Sequence, residues 1–358
     1  LMSTGVFESV AVAGRGEALV IEVVELESRP GRVDAGIAWV NDHGLTGTLA
    51  YEQINLIPGA YTSIRFGYAE EYRSYAANLY RKESFGPALH LGVDIAGERT
   101  GFDDRSFSTR SDQVEAYLAW TPREGLRAEL GLGYRDHALF AVEPGASALL
   151  IRESGQATGP FLHAVLAYRS RGAEGAGDLT LRLDQYLWNL GTGQGVAETR
   201  LEAGLRQPLG ARTDLVLGLR GGIVAGQGGH DTTALDRSFL GGETFRGFAP
   251  RGLGPSDAGD RLGGNRSLVG SVELQRDLGA VRDQALRGGV FVDLGSVWSL
   301  DDTLGGAIGD AAHLRSSIGL SLTFDLAEVP VALYLATPLG HEPGDRRQVF
   351  GLSATARF

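Results

Sequence analysis

Leu126-Arg127-Ala128-Glu129-Leu130-Gly131-Leu132-Gly133-Tyr134 alternates apolar residues with polar residues or glycine, without a break. A period of two over this length predicts a β-strand with one apolar and one wet face. The pattern recurs on both sides. Upstream, Leu89, Leu91, Val93 and Ile95 interleave with His90, Gly92, Asp94 and Ala96. Downstream, Thr180, Arg182 and Asp184 interleave with Leu179, Leu181 and Leu183, and Glu198, Arg200, Glu202 and Arg206 are set against Ala197, Leu201, Ala203 and Leu205.

Sixteen such segments are expected, near 32-40, 45-54, 60-69, 73-82, 87-97, 112-121, 125-135, 160-169, 177-188, 196-207, 213-225, 266-276, 287-298, 313-325, 330-337 and 347-358. An even number of roughly ten-residue alternating strands is what a transmembrane barrel with a wet interior requires. Closure also removes the exposed edges of so large a sheet. A soluble β-sandwich or propeller alternates too, so alternation alone does not decide. Aromatic residues at strand ends (Trp39, Tyr51, Tyr61, Tyr68, Tyr72, Tyr80, Trp120, Tyr134, Trp188, Trp298) favour the membrane by resembling interfacial girdles. So does a last strand that runs to Phe358.

Composition points the same way. The chain has 53 glycines in 358 residues, about twice the usual share of roughly 7%, which suits turn-rich β structure over helix. A formal net charge of −11 argues against a nucleic-acid partner. Cysteine is absent, which excludes disulfides and thiolate metal sites. No stretch of 18 apolar residues predicts a spanning helix, and Leu1-Met2-Ser3-Thr4-Gly5 does not read as the start of a signal peptide. Residues 1–29 read differently, as two β-rich runs around Gly14-Arg15-Gly16-Glu17. They are expected to be the tail of a small α/β domain, with 30–358 as the barrel.

Residues 226–265 form the longest stretch that does not read as strand, well beyond the roughly 12–15 residues at which loops become functional or disordered. Phe239, Leu240, Phe245, Phe248 and Leu253 make it too apolar for a solvated tail, so a loop folded back into the barrel is expected. Arg246 lies at its centre. In the next two strands Glu273 falls on the face opposite Leu268, Val272 and Leu274, and Phe291 and Asp293 on the face opposite Val290, Val292 and Leu294. A loop guanidinium could meet both carboxylates and the ring of Phe291 there. Both acids could equally be ordinary solvated charges of the lumen.

Phe245-Arg246-Gly247-Phe248, Arg251-Gly252-Leu253-Gly254-Pro255 and Gly263-Gly264-Asn265 resemble the loop motif of the BamA/TamA family of outer-membrane assembly barrels. Phe291-Val292-Asp293-Leu294-Gly295-Ser296-Val297-Trp298 resembles its strand signature, and Phe358 its terminal targeting residue. The resemblance implies an all-β fold, a 16-stranded antiparallel transmembrane barrel preceded by part of a polypeptide-transport-associated (POTRA) domain in residues 1–29. It implies a loop anchor made of Arg246, Gly247, Phe248, Glu273, Phe291 and Asp293, and a weak seam between first and last strands containing Gly351. It also implies a bacterial outer-membrane location. Implied partners are the lipid bilayer, unfolded outer-membrane or secreted proteins, and periplasmic accessory proteins. A passive pore, a secretion channel for a dedicated partner, or the anchor of an upstream enzyme are the alternatives.

No catalytic or cofactor motif is read. Gly191-Thr192-Gly193-Gln194-Gly195 lacks a strand-to-helix context, the seven histidines have no ligand spacing, and Asp103-Asp104 and Asp301-Asp302 read as loop charges. The expectation is a chain that is not an enzyme and binds neither metal nor cofactor.

Overall fold

The computed structural model describes residues 7–15, 18–25, 31–40, 44–101, 106–172, 177–281, 284–326 and 329–357. Sixteen strands form one antiparallel meander: β1 (Arg32–Val40), β2 (Gly44–Ile54), β3 (Ala60–Tyr68), β4 (Tyr72–Arg81), β5 (Leu89–Thr100), β6 (Ser108–Arg123), β7 (Leu126–Phe140) and β8 (Gly155–Ser170). They continue as β9 (Asp178–Trp188), β10 (Val196–Gly210), β11 (Thr213–Gly226), β12 (Arg266–Val281), β13 (Gln284–Trp298), β14 (Arg315–Leu326), β15 (Val329–Gly340) and β16 (Phe350–Arg357). Pairing of β16 with β1 closes the barrel. Ahead of it, Phe7–Arg15 and Ala18–Glu25 pair as a separate antiparallel hairpin. The expected domain boundary at 29/30, the turn residues Gly16 and Glu17, and Phe358 lie outside the described residues.

Several strands run longer than alternation indicated. β7 continues from Tyr134 to Phe140, although Asp136 falls at an outward position. Tyr134 is 52% exposed and sits where an interfacial ring would, so the strand beyond it no longer needs an apolar outer face. Two expectations need correction. Trp188, grouped with the girdle, is 4% exposed and packs inside the lumen with Phe161, Val196 and Val224, sharing strand parity with Asp184 and Tyr186; Tyr80, from the same group, also faces the lumen, its hydroxyl accepting from Arg127 Nη1 at 2.9 Å. The last barrel strand starts at Phe350, because Arg347–Gln348 pairs with Gly247–Phe248 of the long loop.

The outer surface carries an apolar belt that includes Leu130, Leu132, Leu166, Leu183, Leu201, Val272, Leu294 and Leu320, all solvent-exposed in the isolated chain. Lipid is the medium that makes such a surface favourable. Leu130→Arg is therefore expected to lower folding stability in lipid vesicles by about 2–4 kcal/mol for a site near the bilayer midplane. The check is denaturant titration in vesicles; a loss below about 0.5 kcal/mol, the size of an ordinary surface substitution, would place Leu130 off the lipid face.

Connections differ at the two ends. One end has short turns such as 124–125 and 211–212, while the other carries 141–154, 227–265 and 299–314. That asymmetry is typical of outer-membrane barrels, whose longer loops face outward from the cell. These loops build the main apolar cluster. Phe107, Leu139, Leu149, Leu150, Ala234, Leu262, Leu300 and Ile308 meet over the barrel mouth, with a short helix, α1 (Ala148–Glu153), as one wall. Ser147 caps α1, its side chain accepting from Leu149 N–H.

Candidate functional site

The long loop turns down into the barrel, and register explains what it meets. Ser271, Asp293 and Ser317 form one row of Cα partners across β12, β13 and β14; Glu273, Phe291 and Gly319 form the next. Each row points inward because the alternate positions face lipid. Gly319 leaves the room that the Phe291 ring fills, since a methyl group at Gly319 would overlap that ring.

Arg246 enters over these rows. Its Nε and Nη2 donate to Asp293 Oδ2 and Oδ1 at 2.9 and 2.8 Å, and Nη1 donates to Glu273 Oε2 at 2.6 Å. Nη2 also donates to Ser271 Oγ at 2.9 Å. The guanidinium carbon lies 3.3 Å from the centroid of Phe291. The main chain is held as well: Arg246 N–H donates to Asp293 Oδ2 at 3.2 Å, and Ser317 Oγ donates to the Arg246 carbonyl at 2.6 Å. Glu273 is kept in place by Ser321 Oγ at 2.6 Å and Gln275 Nε2 at 2.9 Å, both donating to Oε1. Asp293 is 4% exposed, so this charge is desolvated and its stability depends on the fork that pairs it.

Gly247 and Phe248 set the loop's approach. Gly247 has φ 94°, a conformation that favours glycine, and a Cβ there would come 3.0 Å from Ser317 Cβ. Phe248 and Phe245 are fully buried and meet edge to face at 5.0 Å between centroids. With Leu240, Leu253, Val269 and Val297 they form an apolar plug beside the charged site.

The far wall holds the same loop through residues that no local sequence pattern marks. Arg237 pairs with Glu153 of α1, and its Nη1 donates to the Leu262 carbonyl at 2.9 Å. Burial raises the Glu153 carboxyl above its ordinary range, a shift that Arg237 opposes without cancelling. Asp301 accepts from Asn265 Nδ2 and Thr232 Oγ1, both at 2.9 Å, while Asp302 pairs with Arg152. The 301–302 pair thus fastens loops. Asp103 and Asp104 lie outside the described residues. Residues 191–195 belong to the β9–β10 connection, with a strand and not a helix after them. Of the histidines, His163 is embedded in the wall, 3.0 Å from both Glu115 Oε1 and Asp184 Oδ1. Gly131 makes space for Glu115 there, since a methyl group at Gly131 would overlap the carboxylate.

The loop leaves the lumen only partly filled. A cavity of about 990 Å³ remains beneath it, lined by Arg127, Arg182, Glu202, Arg220, Arg246 and Glu273 among others. The seam is the second feature. Gly36, Ile37, Ala38 and Trp39 of β1 are the Cα partners of Arg357, Ala356, Thr355 and Ala354 of β16. Among the described residues four pairs close the barrel there, whereas β1 and β2 share nine. Gly351 lies on β16 outside that shared stretch.

Residues 179–358 match the Omp85 superfamily domain. Along 98% of the chain, the sequence is 25% identical to the outer membrane protein assembly factor BamA of Neisseria meningitidis serogroup B, of which the chain spans about half (50%). The fold superposes on BamA from Haemophilus ducreyi lacking POTRA domains 1-3 with a TM-score of 0.84 at 18% identity, covering 99% of this chain and 76% of that one. CdiB from Escherichia coli gives a TM-score of 0.63 at 12% identity, covering 98% of this chain and 67% of that one. With the domain match over half its length, and a 16-stranded barrel built around it, the chain belongs to the Omp85 superfamily and is an integral outer-membrane barrel.

Proposed function

We propose that this barrel inserts unfolded polypeptides into the outer membrane at the seam between β16 and β1. The observation that carries the reading is the four-pair seam. Cross-strand side-chain pairs contribute roughly 0.2–1 kcal/mol each beyond an Ala–Ala pair, so the four described pairs add less than half of what nine add between β1 and β2. An opened seam presents two unpaired edges that can template an incoming strand. Strand length supports this. Among the described residues β1 and β3 have nine residues and β16 eight, against sixteen in β6, β8 and β12, and short strands around the seam are where a bilayer would thin.

A passive pore is disfavoured by the loop, which is fastened to two walls of the lumen. The cavity beneath it favours a second reading, a secretion channel that opens when the loop withdraws. The N-terminal hairpin is assigned, as part of this proposal, to a POTRA-like domain that would receive substrates or accessory proteins.

The test is reconstitution of the chain in liposomes with a urea-unfolded outer-membrane barrel as substrate, folding being followed by heat-modifiable gel mobility. Faster folding than in empty vesicles is expected. Unaltered folding together with protease-protected passage of a soluble polypeptide would replace insertion by secretion.

A further inference from the structure

The outer surface changes character toward the long-loop end of β4, β5 and β6. Across these strands Ala77, Ile95 and Val114 form one outward row of Cα partners, and Tyr75, Gly97 and Asp112 form the next. One row further, Arg73, Arg99 and Arg110 are partners in turn. They share a face with the lipid belt, because Leu91, Val93 and Ile95 lie on the same side of β5 as Arg99. The order apolar, aromatic, basic carries this surface out of the hydrocarbon, past the interfacial ring of Tyr75 and into the head-group layer. The long loops put that layer on the outer leaflet.

Three arginines side by side are costly by themselves. Directly opposed residues of like charge destabilise a strand pair, and two such pairs share Arg99. The neighbours relieve the row at one end, where Arg110 has Asp112 and Asp136 at 3.4 and 3.5 Å. Among the described residues Arg73 and Arg99 meet rings instead: the Arg73 guanidinium lies 5.5 Å from the centroid of Tyr68, and that of Arg99 lies 5.0 Å from the centroid of Phe140. A ring face orients a guanidinium without neutralising it. Both forks thus stay charged, and both residues are exposed. An oxyanion with several acceptor oxygens matches two adjacent forks, each able to donate a bidentate pair.

We propose that Arg73 and Arg99, flanked by Arg110, form a binding site for the phosphorylated head group of an outer-leaflet lipid. A lipid is the occupant, and not free phosphate, because the row stands at the edge of an apolar wall that includes Ile95, Val114 and Leu118, against which acyl chains lie. The inference uses the outer-membrane location alone and is independent of what the seam does. Arg266 of β12 supplies a control. It is exposed on the outer face at the same end of the barrel, but its Cα partners are Ile223 and Trp298, so no second fork stands beside it.

Native mass spectrometry of the chain released from detergent micelles counts the lipids it retains. With diphosphorylated lipid A as the probe, the wild-type chain is expected to keep a bound lipid, and retention to fall by about tenfold in Arg73→Gln/Arg99→Gln as charge-assisted contacts are lost. Arg73→Lys/Arg99→Lys should keep part of it, since the charge remains and the fork does not. Arg266→Gln should match wild type. Urea titration in vesicles gives a second readout. In phosphatidylcholine alone the glutamine variant should be at least as stable as wild type, because the like-charge repulsion is gone, while added lipid A should raise the unfolding midpoint of the wild type only. Equal retention of lipid A by wild type and the glutamine variant, displacement of the lipid by millimolar inorganic phosphate, or a glutamine variant less stable than wild type in phosphatidylcholine alone would overturn the proposal.

Discussion

Arg246→Ala is expected to release the luminal loop at a cost of about 3–5 kcal/mol, the usual penalty for removing one partner of a buried ion pair. The size follows from what is left behind. Asp293 and Glu273, 4% and 9% exposed at the side chain, would face each other across Ser271 with no cation between them. Phe291 would also lose the charge over its ring, worth about 0.5–2 kcal/mol. Arg246→Lys should recover only part, because a single ammonium cannot donate to both oxygens of Asp293 and to Glu273 in the geometry of the fork. Limited proteolysis of residues 227–265 and a double-mutant cycle with Asp293→Asn provide the check. Strictly additive losses, with the loop equally protected in every variant, would mean that the pair does not hold it.

The strands were legible because lipid asks each of them for a predominantly apolar outer face, which recurs at every second residue from Leu126 through Tyr134 and, with polar interruptions near strand ends, in the other segments. The same rule explains the errors at strand ends. Beyond Tyr134 the outer face meets water, alternation lapses, and β7 continues unseen to Phe140. Parity also exposed the inward positions of Glu273, Phe291 and Asp293, which is why a loop arginine with nearby acids could be read at all. What closes around that arginine was not legible. Arg237 and Glu153 are 84 residues apart, and Tyr334 meets Gly242 across 92. Such pairs leave no local pattern, because burial by a distant loop is decided by tertiary packing. Alternation likewise could not show that Arg347 and Gln348 pair with the loop, since it reveals which face a residue occupies and not which strand lies beside it.

Locking the seam is the other large effect expected. Ala38 and Thr355 are Cα partners, so their separation falls near the 4.5–5.5 Å of opposed antiparallel residues, within the roughly 4.4–6.8 Å that a disulfide spans. Register matters here: Ser353 lies two residues out of register with Ala38, whose partner is Thr355, and would not bridge the seam to it. The chain has no native cysteine to compete. A crosslink removes the open state without touching the loop, the cavity or the lipid-facing belt, so the fold should persist while function stops. The direct measurement is the folding rate of an unfolded outer-membrane barrel in liposomes carrying the Ala38→Cys/Thr355→Cys chain, before and after reduction. The account predicts that oxidation abolishes the acceleration and that reductant restores it. Full acceleration by the oxidised, crosslinked chain would contradict insertion through the seam.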